Sequence, residues 1–229
     1  MRRRVGVYGG MFDPVHEGHL EVARYAREAL GLDKVLLVPC KLPNHRSSAQ
    51  ASGAQRLHML DLACTDDSAL EVSDLELQRD GVSYSVDTLA YLRALEPATD
   101  FIFILGRDAL LGLTKWERWQ ELLTDNLLAV VSREASQCEE AADGEEQSRR
   151  VPLMRWAPPA SVAEALDWAT RKLDDVESLF AARRDRLISL EGLANPLSST
   201  QVRESLARGE GAGLLPRVAA YIEVEGLYK

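Results

Sequence analysis

Apolar residues along this chain fall into two alternating patterns. Short continuous runs occupy residues 5–8, 34–38, 101–105 and 127–131, and they are rich in Val, Ile, Leu and Phe. That length and content predict strands buried on both sides. Helical spacing fills the intervals between them. Residues 18–30 predict one helix and residues 53–63 a second, with Leu57, Leu60 and Ala63 on its apolar side. Residues 85–95 predict a third, with Val86, Leu89, Leu92 and Leu95 on one stripe. Strand–helix alternation predicts an α/β architecture, a doubly wound parallel sheet with helices on both faces. Ligands of such a sheet sit beyond the carboxyl ends of the strands. Gly9, Pro39, Gly106 and Arg133 all fall just past predicted strand ends, so one cleft can gather the segments that follow them.

Residues 134–193 depart from this rhythm. Glu139, Glu140, Asp143, Glu145 and Glu146 dominate an Ala- and Gly-diluted segment that ends in Arg149-Arg150. It predicts a solvated loop. Ser161-x-x-Glu164 then forms a capping box, and Val162, Ala165, Leu166, Ala169, Leu173, Val176 and Phe180 repeat at helical spacing. A long amphipathic helix is expected over 161–190, its apolar stripe packed on the core. The chain is thus expected to be a single domain, 1–229, in which 134–193 forms an acidic loop plus a helical insert.

A formal net charge of −9 over 229 residues argues against general nucleic-acid binding, which needs a basic surface. It leaves room for a small polyphosphate where cations are gathered locally. Cys40, Cys64 and Cys138 form no C-x-x-C pair and are odd in number, as expected of thiols in a reducing compartment. Met1-Arg-Arg-Arg4 is followed by too short an apolar run for a signal peptide, and no stretch approaches the ~18–20 residues of a membrane span. A cytoplasmic protein without membrane partners is expected.

Two segments suit phosphate. The first is Gly9-Gly-Met-Phe-Asp-Pro-Val-His-Glu-Gly-His19, between a predicted strand and a predicted helix. Gly9 and Gly10 are expected to give a sharp turn and a close approach to a ligand. The helix opening near Gly18 would aim free N–H groups and its positive dipole end at an anion. His16 and His19, three apart, can project from one side of the helix start. The plainer reading is a strand–turn–helix with two surface histidines. His-x-x-His also suggests a metal pair, but only Asp13 and Glu17 stand close and no Cys does, so no metal site is expected. The second segment is Asn195-Pro-Leu-Ser-Ser-Thr-Gln-Val-Arg203. Ser198-x-x-Gln201 predicts a capped helix running to about Arg208, with Gly209 as its stop. Three hydroxyls at a helix start, with Arg203 near the first turn, again suit an anion.

His16-Glu-Gly-His19 resembles the (T/H)-x-G-H signature of the nucleotidyltransferase superfamily, and Leu197-Ser-Ser-Thr-x-x-Arg203 resembles the I-S-S-T-x-x-R motif of adenylyltransferases. Further segments resemble one branch, the bacterial nicotinate-nucleotide adenylyltransferases. They are Pro39-x-x-x-Pro43-Asn-His-Arg46, Ser83-Tyr-Ser-Val-Asp-Thr-Leu89, Gly106-Arg-Asp-Ala-Leu110 with Trp116-Glu-Arg-Trp119, and the ending Leu215-Pro-x-x-Val218, Tyr221-Ile222 and Leu227-Tyr228. Met11 stands where the family has Thr, Asn44 where it has Pro, and Ser85 where it has Thr. Residues 134–193 match none of these motifs.

The resemblance implies a Rossmann-like fold and adenylyl transfer from ATP to nicotinate mononucleotide, giving deamido-NAD and pyrophosphate in NAD biosynthesis. It implies His16, His19 and Arg203 as catalytic residues. It implies an ATP site from Gly9, Gly10, Met11, Phe12, Asp13, His16, Gly18, His19, His45, Arg46, Gly106, Asp108, Ser198, Ser199, Thr200 and Arg203. Tyr84, Ser85, Thr88, Trp116, Trp119 and Arg133 would serve the mononucleotide, with Trp116 stacked on its ring. A protonated His19 would offer two N–H donors to the transition state. Core packing is an equal alternative for Trp119, Asp108 can be a helix N-cap as well as a site residue, and His58 is expected to be structural. Mg²⁺ is expected to arrive with ATP, and homo-oligomer formation is left open. The alternatives are another phosphate acceptor, such as nicotinamide mononucleotide or phosphopantetheine, and a catalytically silent nucleotide-binding module.

Overall fold

The computed structural model describes residues 2–42, 49–132, 186–190, 193 and 197–229. Six strands form one all-parallel sheet: β1 (Arg3–Gly10), β2 (Lys34–Pro39), β3 (Leu70–Val72), β4 (Thr99–Gly106), β5 (Leu127–Val131) and β6 (Arg186–Leu190). Their order is β3-β2-β1-β4-β5-β6. The four predicted strands are β1, β2, β4 and β5, the inner ones, where two covered faces require unbroken apolar sequence.

The outer two were missed. β3 has three residues and carries no readable period. β6 corrects the expected helix over 161–190: residues 186–190 pair in register with Leu127–Val131 and bury Leu187, Ile188 and Leu190. The end of the expected insert is therefore part of the sheet. Its apolar spacing fits a helix locally, but the open edge of β5 supplies a ladder that local spacing cannot reveal. The acidic segment and the rest of that predicted helix lie outside the described residues.

Helices α1 (Glu17–Leu30), α2 (Gly53–Cys64), α3 (Leu75–Gln78), α4 (Ser85–Leu95), α5 (Arg107–Leu111), α6 (Trp119–Asp125), α7 (Ser199–Ala207) and α8 (Pro216–Glu225) complete the described chain, with a 3₁₀ turn at Leu113–Lys115. The sheet divides two cores. Ile102 and Ile104 of β4 enter the core shared with α1, α2 and α8, while Phe101, Phe103 and Leu105 enter the one shared with α4, α5 and α6. Two stripes differ from expectation. Three-residue steps lag the 3.6-residue turn, so Leu95 has rotated away from buried Val86 and is 62% exposed. On α2 the buried positions are Arg56, Met59, Leu60, Ala63 and Cys64, with Leu57 only half-buried. No helix among the described residues is long and apolar enough to cross a membrane.

The chain winds outward from β1 through β2 to β3, then crosses to β4 and winds the other way. β1 and β4 are neighbours, so the connections leaving their carboxyl ends diverge and open a crevice.

Candidate active site

A cavity of about 540 Å³ occupies that crevice, a size suited to a small organic ligand. The end of β1 (Gly9 and Gly10) and the turn after it (Met11, Phe12 and Asp13) form one wall with His16 and His19. Ser198, Ser199, Thr200 and Arg203 at the start of α7 face the same space. Gly106, Asp108, Ser85 and Trp116 line the opposite end. Two phosphate-type segments separated by some 190 residues therefore meet in one cleft. His45, Arg46 and Arg133 lie outside the described residues.

The first segment differs in detail from its sequence reading. Gly9 and Gly10 are still in β1, paired with Val38 and Pro39, and do not form the turn. The turn comes after them, where Phe12 takes the left-handed region with φ 48. A Cβ on Gly10 would stand 3.0–3.3 Å from the Phe12 ring, so the glycine makes room for that ring to fold back. His16 is the N-cap of α1 and is fully buried rather than a surface residue. Its ring lies 3.8 Å from that of His19, centroid to centroid. The backbone N–H of His16 donates to Nδ1 of His19 at 3.3 Å. That bond requires Nδ1 to be unprotonated, so neutral His19 carries its proton on Nε2. Gly18 is also corrected: it is buried in the first turn of α1 and does not line the cavity.

The second segment is capped as predicted. The Ser198 side chain accepts from the Gln201 N–H, and Gly209 follows the helix with φ 76. Most of its polar groups are partly spoken for. The Ser198 hydroxyl meets Gln201 Oε1 at 2.9 Å, and the Ser199 hydroxyl donates to the Pro14 carbonyl at 3.1 Å. Thr200 accepts from Arg203 Nη2 at 3.3 Å, which leaves the threonine its own hydrogen for a ligand. Arg203 Nη1 donates to the Asp13 carbonyl at 2.5 Å, bolting α7 to the turn after β1.

At the far end, Trp116 lines the cavity and meets Phe103 edge-on at 6.2 Å. Trp116 and Trp119 do not share a helix face. Trp116 caps the end of the 3₁₀ turn, and Arg118 between the two indoles is left-handed, with φ 48, as the N-cap of α6. Trp119 packs against the core and is absent from the cavity wall. Tyr84 likewise caps α4 and packs on the core. Thr88 is buried, with its hydroxyl donating to Glu76 Oε1 at 2.7 Å. Ser85 at the start of α4 lines the cavity, whereas Thr88 one turn later is buried and bonded to Glu76, which lines the cavity. Asp108 is exposed in the first turn of α5, whose N-cap is Gly106, so its capping role is excluded.

A cytidylyltransferase-like family model matches residues 7–205. The chain is 40% identical over 229 residues to a probable nicotinate-nucleotide adenylyltransferase of Aeromonas hydrophila, covering 98% of this chain and 97% of that one. It is 32% identical over 228 residues to the corresponding protein of Neisseria meningitidis, covering 99% of each. The chain belongs to the nicotinate-nucleotide adenylyltransferase family. Among solved structures, the nicotinic acid mononucleotide adenylyltransferase of Plasmodium falciparum complexed with NaAD shares the fold, with a TM-score of 0.69 at 18% identity over 99% of this chain and 97% of that one.

The family's motifs do not disclose how this adenylyltransferase cleft is braced. Asp13 was expected at the nucleotide, but its carboxylate serves the protein: it accepts from the N–H groups of Gln50 (2.8 Å) and Ala51 (3.1 Å) and from the Tyr228 hydroxyl (2.6 Å). Burial, followed by the Asp13 carboxylate, drives the Tyr228 phenol well above its ordinary pKa. Glu76 and Ser83 line the cavity unpredicted. Burial raises the Glu76 carboxyl, and the hydroxyls of Thr88 and Ser83 oppose the shift. Arg56 is 1% exposed, and desolvation lowers its pKa. A stripe at 56, 59, 60 and 63 would have been readable on α2 had a charged first position been admitted. His58 is exposed on α2, its ring 4.6 Å from that of Tyr221, and does not line the cavity.

Proposed function

We propose that this chain transfers the adenylyl group of ATP to nicotinate mononucleotide, releasing deamido-NAD and pyrophosphate. The observation that carries the proposal is the meeting of the His16–His19 and Ser198–Arg203 segments around one cavity. The naming of full-length relatives supports the choice of substrates.

A phosphate oxygen of the mononucleotide attacks the α-phosphorus of ATP in line. The new P–O bond forms as the bond to the β-phosphate bridging oxygen breaks, and pyrophosphate leaves with that electron pair. The acceptor is already anionic at neutral pH, so no protein nucleophile or base is required. Catalysis is then positioning and charge stabilisation. His19 Nε2–H donates to the α-phosphoryl oxygens or the departing pyrophosphate. Arg203, already anchored through Asp13, and the Thr200 hydroxyl hold the triphosphate beside the N-terminus of α1. His45 and Arg46 complete the phosphate grip from the loop after β2, and Arg133 meets an acceptor phosphate. Asp108 takes a ribose hydroxyl. Trp116 stacks on the pyridine ring, with Ser85 at its edge.

The cavity carboxylates do not form a cage for a metal. Asp13 is taken by three protein donors, Glu76 is held by hydroxyls, and Asp108 stands alone on α5. Mg²⁺ would arrive with the triphosphate and would supply charge neutralisation there.

Pyrophosphate release is measured with ATP plus nicotinate mononucleotide, nicotinamide mononucleotide or phosphopantetheine in turn. The proposal expects the acid mononucleotide to give the highest kcat/KM. A higher value with another acceptor would reassign the substrate, and no turnover with any would support a silent binding module.

A further inference from the structure

The buried guanidinium of Arg56 touches three segments of the cleft. Nη1 donates to the Met11 carbonyl at 2.7 Å and Nη2 to the Cys40 carbonyl at 2.7 Å. Nε donates to the Ala51 carbonyl at 3.3 Å. Met11 lies in the turn after β1, Cys40 just beyond β2, and Ala51 just before α2. Desolvation works against the cation here, and a buried arginine of this kind is tolerated only because carbonyls satisfy its donors.

Peptide planarity carries the effect further. The single cis bond among the described residues is Asp13–Pro14, so the Met11–Phe12 and Cys40–Lys41 peptides are trans. In a trans peptide the N–H points opposite to the C=O. Fixing the Met11 carbonyl on Arg56 therefore fixes the Phe12 N–H on the opposite side of that plane. The same peptide leads into Phe12, whose left-handed φ of 48 is unfavourable for a side chain with a Cβ and persists only where neighbours enforce it. Fixing the Cys40 carbonyl likewise aims the Lys41 N–H, which donates to Ser83 Oγ at 3.1 Å. Ser83 in turn donates its N–H to the Leu42 carbonyl at 3.0 Å, bonds Glu76, lines the cavity and precedes Tyr84 and Ser85.

We propose that Arg56 is a positioning residue that sets both substrate subsites at once, through the Met11–Phe12 peptide for the triphosphate and through the Cys40–Lys41 peptide and Ser83 for the acceptor. The inference rests on the adenylyl-transfer reading. Arg56 touches neither substrate. A lysine at 56 keeps the charge but lacks the planar fork that reaches carbonyls on two loops together.

The test uses the full chain and pyrophosphate release, with rates expressed per folded molecule. Wild-type turnover is established first, so failure of the functional reading shows in the wild type and not in the variants. Arg56→Lys is expected to lower kcat/KM roughly tenfold or more for ATP and for nicotinate mononucleotide alike, on the scale of a small misplacement of reacting groups. A residue that only held the fold would reduce the folded fraction and leave both KM values of that fraction unchanged. Ser83→Ala cuts the second route and leaves the Arg56 bonds in place, while also removing one hydroxyl from Glu76. It is expected to raise KM for the mononucleotide severalfold with KM for ATP unmoved. A folded Arg56→Lys protein with wild-type kcat and both wild-type KM values overturns the proposal. Should that variant not fold, Ser83→Ala with a wild-type acceptor KM does so.

Discussion

The two ends of the cleft are built in opposite ways. At the end lined by the two motif segments, backbone turns are gripped by buried ionic and polar side chains: Arg56 on carbonyls, Asp13 on N–H groups and the Tyr228 hydroxyl, Arg203 on the Asp13 carbonyl. At the other end, Trp116 is half-buried, Asp108 is exposed and Ser85 opens α4. There, contact comes from side chains on short elements rather than from bolted backbone. Charge development needs donors that do not reorganise, and buried bonds supply such donors. Recognition of an aromatic ring needs area and an exchangeable surface, and one indole supplies it.

If this division holds, substitutions at the first end should act on turnover and stability, and those at the second on KM. His19→Ala carries the largest expected effect, a loss of kcat of roughly 10²-fold or more, as for one positioned transition-state donor. Steady-state kinetics with both substrates saturating would measure it, and near-normal turnover would remove His19 from the reaction. Tyr228→Phe deletes only the hydroxyl that Asp13 accepts. A bond to an ionised carboxylate suggests a loss of about 1.5–3 kcal/mol in urea unfolding, and an unchanged midpoint would deny the brace. Trp116→Ala should raise KM for the mononucleotide about tenfold while KM for ATP stays near wild type. Trp119→Ala should lower Tm and leave both constants alone. Equal effects of Trp116→Ala on the two substrates would blur the division.

The smallest effect is a pH dependence at Glu76. Burial raises its carboxyl, so the folded protein holds that proton more firmly than the unfolded chain. The associated stability is fully present below the ordinary value of 4.5 and is lost as pH rises through the raised one. Glu76→Gln removes that loss. The Tm of the variant should therefore gain on wild type as pH rises above 4.5, and parallel curves would refute the assignment.

What could be read in the sequence follows the same line. β1, β2, β4 and β5 announce themselves because inner parallel strands are apolar throughout, whereas β3 and β6 need only one neighbour and leave a fainter trace. The phosphate segments were legible because glycine, serine and histidine at fixed spacing reflect backbone geometry. The roles of Gly9, Gly10 and Asp13 were not, since they depend on Phe12 folding over Gly10 and on Ala51 and Tyr228 arriving from elsewhere in the chain. On α4 and beyond, Ser85 and Trp116 reach the cavity while Tyr84, Thr88 and Trp119 face inward. A one-residue shift of register or a left-handed Arg118 decides that, and neither leaves a mark in composition.

The hydroxyl of Tyr228 meets Asp13 across 215 positions of sequence. A ribosome makes the strand, turn and histidines of the first motif long before the tyrosine that secures them. A nascent chain therefore lacks this brace on Asp13 until those intervening positions have been synthesised.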